Sequence, residues 1–167
     1  YGKTKLSGEQ AIQKSQKTNA IIIRTGWVYS EYGNNFVKTM LKLGSERESL
    51  NVIFDQVGTP TYAGDLAKAI MAVVQSDNFS QTDFKTQIHH FSNEGVCSWY
   101  DFTKTIFELT NTQCQVSPIE TKNYPTPATR PHYSVLNKAK IKQTYNLTIP
   151  YWKDSLQQCL TTLKEDE

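Results

Sequence analysis

Tyr1 and Lys5 open the sequence four residues apart, at the head of a stretch whose pattern predicts a helix over 1–17. Residues at i and i+4 share one helix face, so the spacing places the Lys5 ammonium beside the Tyr1 phenol. A phenol ionises near pH ~10 and moves protons poorly at neutrality. A cation about 4 Å away, at an effective dielectric of about 20, favours the phenolate by roughly 4 kcal/mol. That lowers the phenol pKa by up to about three units, into the range of a working general acid. The chemistry such a pair offers is protonation of an oxygen that gains charge as a carbonyl is reduced. The same spacing also fits an ordinary solvated Tyr and Lys.

Reduction needs a hydride source, and the sequence shows no place to hold one. The eight glycines fall at 2, 8, 26, 33, 44, 58, 64 and 95. They form neither G-x-G-x-x-G nor G-x-x-G-x-x-G, the spacings that cradle a pyrophosphate at a helix start. No strand pattern precedes Tyr1. The expectation is the C-terminal part of a larger enzyme, inactive as this fragment.

Composition narrows the partners. The 167 residues suit one domain or one domain with a torn edge, and 38% are hydrophobic, enough for a modest core. With 18 basic and 16 acidic residues intermixed, the net charge is +2, so neither nucleic acid nor a membrane surface is an expected partner. Lys138, Lys140 and Lys142 read as a solvated helix face. Cys97, Cys114 and Cys159 make no C-x-x-C, and the adjacent His89 and His90 point to opposite faces of a strand. A zinc site is not expected. Free thiols, with no signal peptide and no long apolar run, point to the cytoplasm.

The elements that must position the pair alternate between helix and strand. In the first helix, Leu6, Ala11 and Ile12 mark the buried side. Ala20-Ile21-Ile22-Ile23 is a β-branched run expected to be buried on both faces of a parallel sheet. Ligands bind beyond the carboxyl ends of such strands, which focuses attention on Arg24, Thr25, Trp27 and residues 24–36. A helix over 35–43 should stop at Gly44. A strand over 50–54, a turn over 58–61, a helix over 64–75 and a strand over 88–92 follow. Then come a helix over 98–109 with Ser98 and Asp101 as a capping pair, a strand over 116–119 and an extended loop over 121–133. A short helix over 137–144 precedes a last helix with Pro150 just inside its start. This alternation predicts an α/β fold.

Several segments, in order, carry a family resemblance. They are Tyr1-x-x-x-Lys5 with Gly8-Glu9, then Arg24-Thr25-Gly26-Trp27-Val28-Tyr29, then Gly33-Asn34-Asn35-Phe36-Val37-Lys38-Thr39-Met40. Asp55-Gln56-Val57-Gly58-Thr59-Pro60-Thr61 with Asp65-Leu66-Ala67, and Arg130-Pro131 with Ser134-Val135-Leu136, complete the set. Together they resemble the dTDP-4-dehydrorhamnose reductases, extended short-chain dehydrogenases/reductases, over nearly the whole chain. The resemblance implies the C-terminal portion of a Rossmann-type fold, carrying its last parallel strands and the small substrate-binding domain. Residues 1–30 would be the edge of the Rossmann domain, and 31–167 mainly the sugar-nucleotide portion, with 50–92 partly returning to the Rossmann sheet.

It further implies reduction of dTDP-4-dehydro-L-rhamnose to dTDP-L-rhamnose with NADPH or NADH, bound mainly by a half not in this sequence. Magnesium bridges subunits in some relatives, and nothing in this sequence calls for it. The implied partners are a dTDP-sugar and further copies of the chain, as a homo-oligomer or a self-associating fragment. Tyr1 would be the general acid, and Lys5 would lower its pKa and hydrogen-bond the nicotinamide ribose. Trp27 would pack on the deoxysugar, or else be a core aromatic. Asn35 and Phe36 would meet the sugar nucleotide at a helix start, with a plain N-cap as the alternative for Asn35. Arg130 would pair with the diphosphate through its planar fork, or make a surface salt bridge. Thr59 and Thr61 read as turn chemistry, and Asp65 as a cap or orienter of its helix. A nucleotide-sugar epimerase or dehydratase of the same superfamily is the near alternative. A non-catalytic subunit resembling the methionine adenosyltransferase regulatory subunit is the distant one.

Overall fold

The computed structural model describes residues 2–15, 19–80, 85–124 and 130–165. Its elements run α1 (Gly2–Lys14), β1 (Ile21–Arg24), β2 (Val28–Tyr29), α2 (Phe36–Glu46), β3 (Ser49–Ile53), β4 (Val57–Gly58), β5 (Thr61–Tyr62) and α3 (Ala63–Val74). They continue with β6 (Gln87–His90), β7 (Cys97–Ser98), α4 (Trp99–Thr110), β8 (Gln115–Ile119), α5 (Ala139–Tyr145) and α6 (Trp152–Glu165). Thr121–Asn123 make a single 3-10 turn, and 125–129 of the expected loop lie outside the described residues.

Among the described residues the strands pair in four two-stranded sheets. β1 pairs with β6, β2 with β5 and β3 with β8, all parallel, while β4 and β7 are antiparallel. The mixed α/β architecture with parallel strands is the one expected. β3 shows why it forms: Leu50 and Val52 point inward while Ser49 and Asn51 face out, the two-residue period of a half-covered strand. Against it pack α2 and α4, and α6 closes the cluster through Trp152, Leu156 and Leu160. A smaller core gathers Ala69, Phe91, Ile141 and Ile149.

Five expectations need correction. The first helix has no buried residue: Leu6 is 49% exposed, Ile12 44%, and Ala11 is exposed too. No apolar face of the described chain lies over it; instead the Glu9 carboxylate takes both Arg24 Nε (2.9 Å) and Nη2 (2.6 Å), clipping α1 to the end of β1. The isoleucines of β1 are half-buried, because among the described residues β6 is the strand beside it. Gly44 does not stop α2, which continues to Glu46. A Cβ there would stand 2.7 Å from the Phe107 ring and 2.8 Å from Thr112, so the missing side chain lets α2 close on α4. Lys138 is buried rather than solvated, with Nζ 3.0 Å from the Asn93 carbonyl and 3.3 Å from Glu94. Lys142 reaches the same carboxylate at 2.7 Å, and Lys140 donates to the Ile88 carbonyl. Burial alone would raise the Glu94 carboxyl, but the hydrogen bonds and charges of Lys142 and Lys138 hold it below the usual carboxylate range. Pro150 likewise precedes α6 instead of opening it, and its carbonyl accepts from the Glu94 amide at 2.8 Å.

His89 is buried between β6 and α5, its ring 5.3 Å from that of Tyr145. Its Nε2 meets Gln87 Oε1 at 3.1 Å, while Nδ1 and the Tyr145 hydroxyl have no hydrogen-bond partner. Burial, then the nearby Lys140 and His90 charges, push its pKa below the ordinary imidazole value. The unfolded chain therefore takes up a proton near pH ~6.5 that the folded chain refuses. Stability is full above that pH and falls as the pH drops toward the folded value. Urea midpoints should decline from pH 7 to pH 5, and His89→Leu should flatten that decline. An unchanged slope in the variant would assign the dependence to other groups.

Candidate functional site

The end of β1 delivers Gly26 and Trp27 to the surface where two helices begin. Trp27 takes a left-handed backbone, φ 53°, and its indole stacks on Trp99 with centroids 3.5 Å apart and planes 13° off parallel. Trp99 is the first residue of α4, set there by a capping box. Ser98 N donates to Asp101 Oδ2 at 2.9 Å, and Asp101 N donates to Ser98 Oγ at 3.1 Å. Phe36 is the first residue of α2. Its cap, Asn35, accepts from the Lys38 amide at 3.3 Å and donates to the Ser30 carbonyl at 2.7 Å. The Phe36 ring lies 4.6 Å from Trp99 and stacks on Phe102 at 5.7 Å.

Between these helix starts and β3 opens a cavity of about 310 Å³, lined by Phe36, Met40, Asn51, Trp99, Tyr124 and Arg130 among others. Its walls are aromatic and aliphatic, with an exposed guanidinium at the rim. Such a slot takes a flat ring against Phe36 and Trp99. It offers Arg130 and the positive end of α2 to an anion. A larger groove of about 610 Å³ between α2 and α6 is lined by Lys38, Lys42 and Lys164 and by none of the predicted site residues.

The structure thus brings Phe36 and Arg130 together, with Asn35 at the adjoining cap and Trp27 behind Trp99. Lys5 is exposed on α1, held near the end of β1 by the Glu9–Arg24 clip, and does not line this cavity. Tyr1 lies outside the described residues. Thr59 and Thr61 are buried, and their hydroxyls donate to the Gly95 and Gly26 carbonyls, both at 2.7 Å. Asp65 is buried and ties the first turn of α3 to Asn93 and Ser155. Sequence reasoning missed Trp99 and Tyr124. The signal for Trp99 was its place directly after a recognised cap; for Tyr124 there was none.

The pattern of the family described as RmlD substrate binding domain matches residues 1–165. The chain belongs to that family. The dTDP-4-dehydrorhamnose reductase of Sinorhizobium fredii is 40% identical over 167 residues, covering 98% of this chain and 56% of the relative. Among solved structures, the dTDP-4-dehydrorhamnose reductase of Clostridium acetobutylicum superposes with a TM-score of 0.87 at 41% identity, over 98% of this chain and 55% of that one. The Bacillus anthracis dTDP-4-dehydrorhamnose reductase, solved in complex with NADP, gives a TM-score of 0.84 at 37% identity, over 97% and 54%. The RmlD-type chain therefore spans about half the length of the relatives it matches. Its parallel pairs and crossing helices are those of the Rossmann-type extended short-chain dehydrogenase/reductase fold with its substrate-binding domain.

The described residues do not fit a dinucleotide pyrophosphate: no glycine-rich turn with the required spacing opens any of the helices. Among them, no group of three or more His, Cys, Asp or Glu is placed to hold a metal, and no helix is long and apolar enough to cross a membrane.

Proposed function

We propose that this chain forms the sugar-nucleotide side of a nicotinamide-dependent reductase that converts dTDP-4-dehydro-L-rhamnose to dTDP-L-rhamnose. The observation that carries the reading is the cavity where Phe36, Trp99 and Arg130 converge beside the N-terminus of α2. Aromatic walls suit the base, and a guanidinium with a helix start suits a diphosphate. The names of the relatives support the choice of a deoxysugar nucleotide over other nucleotides. On this reading Tyr1 hands its phenolic proton to the oxygen at sugar C4 as that oxygen becomes an alkoxide. Lys5 stabilises the phenolate left behind, and the apolar indole face of Trp27 meets the deoxysugar. NADPH or NADH is held by residues beyond those described, so the chain by itself has no hydride to work with.

Arg130 gives the first test. A charge-assisted pair with a diphosphate contributes about 1.5–3 kcal/mol, so Arg130→Ala in the complete protein should weaken dTDP-rhamnose binding by about 10- to 100-fold. Calorimetric titration reads this directly. Equal affinity in variant and parent would remove the diphosphate from Arg130 and, with it, the orientation proposed here.

A further inference from the structure

A left-handed backbone is sterically disfavoured for any residue with a Cβ, and it persists when the surroundings dictate it. Trp27 holds that conformation at φ 53° directly after Gly26. Two contacts account for it. One indole face lies on Trp99 at 3.5 Å, and the ring passes so close to the Gly58 backbone that a Cβ there would stand 2.9 Å from it. Trp99 is itself immobilised by the Ser98–Asp101 capping box beneath it and by Phe36 at 4.6 Å. Phe36 stacks in turn on Phe102, which is 1% exposed. A column of rings, Trp27–Trp99–Phe36–Phe102, therefore runs from the end of β1 into the core. Trp27, at its outer end, remains partly exposed.

We infer that Trp99 is a positioning residue: it sets the angle of the Trp27 indole, and through that ring it determines preference for a deoxysugar-bearing nucleotide over the bare nucleotide. The inference rests on the reading that Trp27 meets the sugar. Trp99 occupies the boundary between two parts of the site, with one face on Trp27 and its body lining the cavity with Arg130. A ring that served the core alone would be expected deeper in the column, where Phe102 already sits.

The experiment compares dTDP-rhamnose with dTDP, by calorimetry, in the complete protein and its Trp27→Ala, Trp99→Ala, Trp99→Phe and doubly substituted Trp27→Ala/Trp99→Ala forms. Loss of an aromatic stack predicts a three- to tenfold weaker dTDP-rhamnose complex in Trp99→Ala, roughly. Because Trp99 also walls the base slot, dTDP should weaken too, but by a smaller factor, so the preference for dTDP-rhamnose over dTDP narrows, and Trp99→Phe should restore most of that preference. In the Trp27→Ala background, removing Trp99 should weaken dTDP-rhamnose and dTDP by the same factor, because the preference that Trp99 sets acts through Trp27. The far-ultraviolet circular dichroism couplet of two stacked indoles should vanish in either alanine variant, reporting the stack independently of ligand.

Equal weakening of dTDP and dTDP-rhamnose in Trp99→Ala would overturn the inference, since Trp99 would then serve the nucleotide alone. A preference for dTDP-rhamnose that falls further in the double variant than in Trp27→Ala, or absence of the couplet in the parent, would overturn it as well. Parent-like dTDP-rhamnose binding by Trp27→Ala would instead remove the sugar contact on which the inference stands, a separate and recognisable outcome.

Discussion

Tyr1→Phe, made in the complete protein, is expected to lower kcat for ketosugar reduction by about 10²–10⁴-fold, the range for removal of a general acid. The substitution keeps the ring and deletes the hydroxyl. The oxygen that becomes negative during reduction then has no phenolic proton to take. Substrate affinity should change little, because the binding assigned to this chain comes from the cavity of Phe36, Trp99 and Arg130. A loss in kcat with a steady dissociation constant is the signature of an interaction made in the transition state alone. Lys5→Met should share much of the loss, since the cation makes the phenolate accessible. Steady-state turnover of dTDP-4-dehydro-L-rhamnose, followed through NADPH oxidation, checks both. A Phe variant that turns over at the parental rate would sink the role of Tyr1 and the reductase mechanism with it.

The second large effect is on stability. Asn93 is fully buried and uses both ends of its amide. Its Oδ1 accepts from the Tyr62 amide at 2.8 Å, and its Nδ2 donates to Asp65 Oδ2 and Ser155 Oγ, both at 2.8 Å. Ser155 Oγ also donates to Asp65 Oδ2 at 2.5 Å, and Lys138 Nζ reaches the Asn93 carbonyl at 3.0 Å. The side chain and backbone carbonyl of this one residue thereby join the start of α3, the segment after β6, the approach to α5 and the first turn of α6. Asn93→Ala strands the Tyr62 N–H and removes a donor from a carboxylate that is 4% exposed. Breaking such a buried network costs about 2–5 kcal/mol. Ser155→Ala should cost less, because Asn93 still donates to Asp65. Urea denaturation of the two variants measures the difference. An Asn93→Ala cost below that of Ser155→Ala would show that the asparagine is not the hub.

Much of this fold could be read locally. The alternation in β3 and the Ser98–Asp101 cap depend on residues near one another in sequence, and both stand where expected. The misread features depend on what lies across the structure. Lys138 reads as solvated until Asn93 and Glu94 arrive beside it from a distant segment. Gly44 reads as a helix stop because nothing in its own segment reveals Phe107 against its backbone. The isoleucines of β1 read as covered on both faces because a β-branched run records preference for burial, not the presence of covering elements. The meeting of Phe36 with Arg130 came from family resemblance rather than periodicity, and Trp99 between them was invisible to both.

The strand pairings carry a cost in time. Ile21 finds its partner at Gln87 and Ser49 finds its partner at Gln115. Closing such long stretches of chain must precede the contacts that reward the closure, which slows folding. Among the described residues, then, β1 meets no partner strand until residue 87 has been synthesised, and β3 none until residue 115. Through that interval the edges that β6 and β8 later take stay open as templates for stray strands.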